Sequence, residues 1–217
     1  MPATPARNEN LHGFVPDHAE VALILIDVIN DLDFEGNGAL VGMAVPMARR
    51  LATLAQRARA SGVPVVYVND NFGRWRSDFH AILEHCIHDD VPGRPVAELL
   101  APEQDDYFVL KPKHSGFFST TLDTLLAYLK VSTLIITGIA TNICVLFTAN
   151  DAYMRDLNIV VPSDCVAANT EEESFYALDQ MRTILKADTR PSSEIVFDDY
   201  ADVASAARRR ALLIHPG

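Results

Sequence analysis

Residues 133–158, TLIITGIATNICVLFTANDAYMRDLN, contain the pattern that decides the fold. The apolar, β-branched run at 134–137 is typical of a buried strand, and Gly138 turns the chain after it. Apolar residues then recur with helical spacing, at Val145, Ala149 and Ala152. The stretch therefore predicts a strand that leads through a short turn into a helix.

Cys144 lies at the start of that helix. With Thr141 or Asn142 as the N-cap, it falls in the first turn, where free backbone N–H groups and the helix dipole favour a thiolate. The alternative is that Cys144 is a small buried core residue.

The same alternation of strand and helix extends along the chain. Apolar runs predict six strands, over residues 21–27, 63–69, 107–111, 134–137, 158–161 and 194–197. Periodic segments predict helices at 46–60, 78–87, 121–130, after Cys144, after the capping pair Thr170 and Glu173, and at 201–212. This order predicts an α/β fold with three αβα layers and a mostly parallel six-stranded sheet. We expect one domain over 1–217, with residues 1–18 as an N-terminal arm.

Composition limits the classes of function. The 217 residues carry a net charge of −11, which disfavours binding to nucleic acid or to anionic lipid. No apolar run reaches the ~20 residues of a membrane span, and the first residues lack a signal-peptide core. The three cysteines form no paired framework. The sequence predicts a soluble cytoplasmic protein that acts on a small molecule without a membrane or nucleic-acid partner.

Three chemically matched residues follow predicted strands. Asp27 and Lys111 end two of them, and Cys144 follows a third. Because parallel strands end at one edge of a sheet, we expect an acid, a base and a thiol to meet there. Taken alone, each residue also has a non-catalytic interpretation. Asp27 could cap a helix or form a salt bridge, and Lys111 could be an ordinary surface lysine.

Together the three groups suit hydrolysis by a cysteine nucleophile. Asp27 would accept the thiol proton and return it to a leaving amine, while Lys111 would lower the pKa of the thiol. The turn at 138–141 would offer backbone N–H donors to an oxyanion.

Three motifs resemble those of the isochorismatase-like cysteine hydrolases, which include nicotinamidases and N-carbamoylsarcosine amidases. They are DVIND at 27–31, KPKHSGF at 111–117 and GIATNICV at 138–145, and the resemblance covers nearly the whole chain. It implies a Rossmann-like isochorismatase fold, a catalytic triad of Asp27, Lys111 and Cys144, and a homo-oligomer, either a dimer or a tetramer. It also implies a cis peptide bond between Ile139 and Ala140, with the amides of Ala140 and Cys144 as the oxyanion hole.

The chain departs from the nicotinamidase pattern at the metal site. Nicotinamidases carry D-x-H after the second strand, but the corresponding residues here are Asp70, Asn71 and Phe72. We therefore expect neither a metal nor any other cofactor. A displaced metal site at His80, His85 and His88 stays open as an alternative, although their spacing gives no shared helix face. Gly36 and Gly38 do not form the glycine pattern of a dinucleotide site.

Four residues are candidates for substrate binding: Phe34, Trp75, His114 and Phe117. For the aromatic residues the alternative is packing beneath a loop, and for His114 it is a hydrogen bond to backbone. The leading hypothesis is hydrolysis of a small amide, imide or carbamoyl compound through a Cys144 thioester. Vinyl-ether hydrolysis of isochorismate and a non-catalytic binding protein on the same fold are the alternatives.

Overall fold

The computed structural model of the chain describes residues 19–73 and 78–200. In this part of the chain, six parallel strands form one sheet. They are β1 (Val21–Ile26), β2 (Val65–Asp70), β3 (Tyr107–Lys111), β4 (Thr133–Ile139), β5 (Asn158–Val160) and β6 (Val166–Ala167). The order across the sheet is β3-β2-β1-β4-β5, and β6 pairs with the carboxyl end of β4.

Helices cover both faces of this sheet. They are α1 (Gly38–Ala60), α2 (Phe79–His88), α3 (Arg94–Leu99), α4 (Leu122–Leu129), α5 (Leu146–Tyr153) and α6 (Glu171–Ile184). One apolar core joins the sheet to α1, α2 and α3, and a second joins the opposite face to α4, α5 and α6. The predicted three-layer αβα fold is thus confirmed.

The strand order reverses between β1 and β4. From β1 the chain moves outward to β2 and β3, and it then returns to the other side of β1 as β4. In open α/β sheets, ligands bind beyond the carboxyl ends of the strands at such a reversal. Both β1 and β4 are fully buried, as continuous apolar strands of a doubly covered sheet should be.

Gly138 lets β1 and β4 approach closely at this point. It pairs in register with Ile26, and its φ of +109° is one that side chains rarely adopt. A Cβ atom on Gly138 would lie 2.1 Å from the carbonyl oxygen of Ile26, far inside contact distance. Glycine is therefore required where the chain passes from β4 toward Cys144.

The sixth strand was predicted at the wrong place. Residues 194–197 form no strand, because a 3₁₀ turn spans Ser192–Glu194 and the backbone is helical from 197 to 200. Ile195 and Phe197 instead bury their side chains in the first core. The observed β6 has only two residues, so its periodicity is too short to be recognised in a sequence.

The first helix begins earlier than predicted. The helix was predicted over residues 46–60, yet α1 starts at Gly38 and contains Pro46. Leu40, Ala44 and Met47 bury one helical face against the sheet, and this packing outweighs the weak helix propensity of glycine. The short helix α3 was not predicted at all; it lies between the helix predicted at 78–87 and the strand predicted at 107–111.

Several predictions fall outside the described residues: the N-terminal arm 1–18, Trp75 and the helix at 201–212. Among the helices that the structure does describe, none combines the length and the apolar character needed to cross a bilayer.

Candidate active site

Asp27 directly follows β1 and is held by the neighbouring strand. Its side chain is buried and its φ is +51°. Its backbone N–H donates to the carbonyl of Val68 at 3.0 Å, while its Oδ1 accepts from the backbone N–H of Asp70 at 2.7 Å. These bonds fix the carboxylate at the carboxyl end of the sheet, with Oδ2 directed at Lys111.

Lys111 is the last residue of β3 and is completely buried. It lies on the same face of the strand as Val109, which belongs to the core beneath α4, α5 and α6. Its Nζ lies 2.8 Å from Asp27 Oδ2 and 3.5 Å from Asp70 Oδ2. The ammonium group therefore contacts two carboxylates and is itself inaccessible to solvent.

Cys144 completes the cluster from the other side. Lys111 Nζ donates to its Sγ at 3.5 Å, and the negative charge of Asp27 also acts on the thiol. The cysteine is partly exposed, whereas Asp27 and Lys111 are buried beneath it. The structure thus brings together the three side chains that were expected to meet, with the sulfur on the side of the solvent.

The turn that carries Cys144 is a π-helical turn, Thr141–Val145. The carbonyl of Ala140 accepts from the N–H of Val145, five residues on, at 3.2 Å. Ala140 is consequently the N-cap, and the prediction of Thr141 or Asn142 at that position was wrong. The peptide bond between Ile139 and Ala140 is cis.

The resting cysteine is a thiol, contrary to expectation. Burial raises the pKa of Cys144 to about 12, and the negative charge of Asp27 adds to the effect. Lys111 opposes this shift but does not outweigh it. Since the thiol holds its proton at neutral pH, attack by sulfur requires a base beside it.

Asp27 is suited to be that base. Burial raises its pKa above that of an ordinary carboxyl group, and the attraction of Lys111 offsets only part of the rise. A carboxylate with a raised pKa accepts a proton more readily than one in water. Burial alone would lower the pKa of Lys111, but the attraction of the carboxylates, Asp27 first and Asp70 second, outweighs burial and raises it. Lys111 is therefore a fixed positive charge.

Hydrogen bonds anchor the loop after β3 to the helix that follows Cys144. The Ser115 hydroxyl donates to the carboxylate of Asp151. The N–H of Gly116 donates to Thr148 Oγ1 at 3.0 Å, and the same hydroxyl donates to the carbonyl of Cys144 at 2.7 Å. The Lys111 loop and the Cys144 turn are thus held in one arrangement.

His114 lies on this anchored loop and faces the sulfur. Its Nδ1 is 3.8 Å from Cys144 Sγ, and its ring packs against Phe147 with centroids 5.5 Å apart. The side chain is exposed, so it borders the space from which a substrate reaches Cys144.

The other substrate-binding candidates differ in placement. Phe117 is buried in the second core, and the Arg155 guanidinium lies 4.4 Å from the centre of its ring. That position agrees with the packing alternative rather than with substrate contact. Phe34 is exposed on the loop after β1.

The three histidines of the alternative metal site contact acidic or aromatic side chains. His85 Nδ1 lies 2.6 Å from Asp89 Oδ2, and its Nε2 lies 3.4 Å from Asp31 Oδ2. His88 pairs with a glutamate on α2, and His80 packs edge-on against an aromatic ring. In residues 19–73 and 78–200, no group of three or more His, Cys, Asp or Glu side chains is arranged to hold a metal ion.

Sequence reasoning missed three residues around the site: Asp70, Thr148 and Asp151. A signal for Asp70 was available, because it ends β2 at the same sheet edge as Asp27 and Lys111. For Thr148 and Asp151 the signal was weaker. They lie one and two helical turns beyond Cys144, on the side that packs against the Lys111 loop.

Comparison with known proteins gives a consistent result. Residues 21–189 match the Isochorismatase domain family. The uncharacterized isochorismatase family protein YaaI of Bacillus subtilis (strain 168) is 40% identical over 178 residues, which cover 82% of this chain and 97% of YaaI. The ureidoacrylate amidohydrolase RutB of Enterobacter sp. (strain 638) is 31% identical over 189 residues, which cover 76% of this chain and 81% of RutB.

Solved structures show the same similarity. The crystal structure of N-carbamoylsarcosine amidase from Thermoplasma acidophilum superposes with a TM-score of 0.65 at 29% sequence identity. The superposition covers 81% of this chain and 98% of that one.

Proposed function

Since the chain belongs to the isochorismatase family, we propose that it is a cysteine hydrolase that cleaves a small amide, imide or carbamoyl compound through a thioester on Cys144. The convergence of Asp27, Lys111 and Cys144 carries this proposal. A buried acid and ammonium beneath a partly exposed thiol are the three groups that acyl transfer to sulfur requires.

In the first half of the reaction, Asp27 accepts the thiol proton as sulfur attacks the carbonyl carbon. A C–S bond forms, and the carbonyl electron pair moves to oxygen. The backbone N–H groups of Ala140 and Cys144 stabilise this oxyanion from the start of the π-helical turn. The C–N bond then breaks, and Asp27 gives its proton to the leaving nitrogen, so the products of this half are an amine and a thioester.

In the second half, water replaces the amine. Asp27, again a carboxylate, takes a proton from the water as its oxygen attacks the thioester carbon. The C–S bond breaks, and Asp27 returns the proton to sulfur. Lys111 keeps its charge throughout, so it stabilises each negative charge that develops on Asp27 or on the sulfur.

Ureido and carbamoyl compounds are the first substrates to test. RutB and the Thermoplasma enzyme are named for ureidoacrylate and N-carbamoylsarcosine, two compounds with a carbonyl carbon bonded to nitrogen. We propose that His114 contacts such a substrate, because its exposed ring borders the sulfur at 3.8 Å. His114→Asn is expected to raise KM, whereas His88→Asn, on an exposed histidine of α2, is expected to leave it unchanged.

The test is a screen for ammonia or amine release from a panel of ureido, carbamoyl, imide and simple amide compounds, with isochorismate included. Wild-type protein should turn over at least one nitrogen compound, and Cys144→Ala should abolish that turnover. Release of ammonia at an unchanged rate by Cys144→Ala would refute the mechanism. Turnover of isochorismate alone, retained in Cys144→Ala, would establish the vinyl-ether alternative instead.

A further inference from the structure

Lys111 has a second carboxylate partner that the catalytic steps leave unused. Its buried Nζ lies 3.5 Å from Asp70 Oδ2, in addition to the 2.8 Å contact with Asp27. The same nitrogen lies 3.5 Å from Cys144 Sγ. One ammonium group thus serves two carboxylates and the nucleophile.

Asp70 is held firmly in that position. It ends β2 in register with Lys111 on β3. Its backbone N–H donates to Asp27 Oδ1, and its own Oδ1 accepts from the N–H of Phe72 at 2.6 Å. The N–H of Asn71 donates to the carbonyl of Lys111 at 3.0 Å. The backbone therefore fixes Asp70 Oδ1, which leaves Oδ2 to face the ammonium group.

The residues that follow Asp70 depart from the metal-binding motif of nicotinamidases. Asp70, Asn71 and Phe72 occupy the place where the metal-binding D-x-H of nicotinamidases would stand, with an exposed phenylalanine in place of the histidine. The carboxylate interacts here with a neighbouring ammonium and a backbone amide. It is part of the same charge cluster as the proposed nucleophile and base.

The charges around Lys111 change during the proposed reaction. In the resting site Asp27 is negative and the thiol is neutral. Once sulfur has bonded to carbon, Asp27 holds the proton and the sulfur carries no charge. The negative charge is then on the substrate oxygen. Of the two carboxyl groups that contact Lys111, only Asp70 takes no part in the proton transfer, and a buried ammonium without an anionic partner is strongly disfavoured.

We propose that Asp70 is a positioning residue, which keeps the Lys111 ammonium charged and in place while Asp27 carries the proton. The catalytic role of Asp70 rests on the proposed function, but the electrostatic coupling between Asp70 and Lys111 can be measured without any substrate.

The decisive measurement is the titration of Lys111 by NMR. Asp27→Asn mimics the protonated state of Asp27, because an amide is close in shape to a neutral carboxyl group. The chain has only four lysines, at 111, 113, 130 and 186, so a ¹³Cε lysine label gives a spectrum simple enough to assign. The titration compares Asp27→Asn with two double variants that add either Asp70→Asn or Asp105→Asn.

Asp105 supplies the matched control. It is exposed and precedes β3, at the opposite end of the strand that carries Lys111. With Asp105→Asn added, Lys111 should titrate as in Asp27→Asn alone. With Asp70→Asn added, the ratio of deprotonated to protonated Lys111 at a given pH should rise about tenfold or more, which corresponds to a pKa lower by one unit. Identical titrations of the two double variants would overturn the inference.

Kinetics of single variants provide a second test, which does not depend on the double variants folding. Asp70→Asn should lower kcat about tenfold with little change in KM. The alkaline limb of its pH–activity profile should lie at lower pH than in the wild type, because Lys111 loses its proton more easily. Asp70→Glu should restore part of kcat, and Asp105→Asn should match the wild type. An unchanged kcat and pH profile in Asp70→Asn would refute the role.

The two proposals can fail separately. If no compound is turned over but the Lys111 titration shifts as described, the hydrolase proposal fails and the coupling to Asp70 stands. If Cys144-dependent turnover is found but neither the titration nor kcat responds to Asp70→Asn, only the role of Asp70 is refuted.

Discussion

Replacing Lys111 by methionine would remove the cation of a fully buried ion pair while keeping most of the side-chain volume. The ammonium lies 2.8 Å from Asp27 Oδ2, and neither side chain has appreciable access to water. Removing one partner of such a pair leaves an uncompensated buried charge, at a cost of ~3–5 kcal/mol. That is a large part of the ~5–15 kcal/mol by which domains are typically stable.

The loss of stability in Lys111→Met should depend on pH. Burial already raises the pKa of Asp27, and without Lys111 it rises further above that of the unfolded chain, ~3.9. A raised carboxyl pKa means that the folded state binds the proton more tightly. The contribution of Asp27 is therefore fully present below the unfolded pKa, and it is lost as pH rises through the folded pKa. Relative to the wild type, the variant should be weakest near neutral pH and should recover as pH falls toward about 4.

Urea denaturation followed by circular dichroism, at neutral and acidic pH and at one protein concentration, measures this loss. Lys113→Met is the matched control, because Lys113 is exposed two residues further on and should cost no more than ~0.5 kcal/mol. The double variant Asp27→Asn with Lys111→Met removes both charges, so it should be at least ~2 kcal/mol more stable than Lys111→Met alone. Equal losses in the two lysine variants, or strictly additive losses in the double variant, would refute the buried-pair account.

Three further predictions concern the elements around the nucleophile. Iodoacetamide should modify Cys144 well before the two fully buried cysteines. Because the pKa of Cys144 is raised to about 12, its modification rate should keep rising with pH above the ordinary thiol pKa of ~8.5. Equal rates for all three cysteines, measured by peptide mass spectrometry, would contradict this prediction. Thr148→Val should cost ~1–3 kcal/mol in urea denaturation and lower kcat, since it leaves the buried N–H of Gly116 without its acceptor; stability equal to the wild type would argue against the anchored loop. Gly138→Ala should lower the free energy of unfolding by more than ~4 kcal/mol or prevent folding. Gly36→Ala, at a positive φ with open space around it, should lower it by only about 1–2 kcal/mol. Similar thermal midpoints for the two variants would show that the close approach of β4 to β1 is not needed.

The fold was largely predictable because its strands are continuous apolar runs that end in polar residues. Asp27 and Lys111 could be placed at one edge of the sheet from sequence, since parallel strands have one direction. The two-residue β6 and the early start of α1 could not be predicted. The strand β6 is too short to show a periodicity, and the start of α1 depends on burial that outweighs the weak helix propensity of glycine.

The convergence of Asp27, Lys111 and Cys144 was predictable from the sequence, but the electrostatics of this candidate site was not. Sequence reasoning expected Lys111 and the helix N-terminus to lower the pKa of Cys144, yet burial and the nearby Asp27 raise it. The pKa of the thiol reflects a balance between a nearby cation, a nearby anion and desolvation. This balance depends on distances of a few ångströms, which the spacing of residues along the chain does not give. The oligomeric state and the cytoplasmic location remain predictions from the sequence.

Covalent acylation of Cys144 during turnover is tested most directly by mass spectrometry of an acid-quenched reaction. With a substrate found in the screen, the peptide containing Cys144 should gain the mass of the acyl or carbamoyl group during turnover, and hydroxylamine should remove that mass. Asp27→Asn should accumulate far less of the adduct, since no base is left to take the thiol proton. Steady turnover with no adduct on Cys144 at any quench time, together with full activity in Cys144→Ala, would contradict the account.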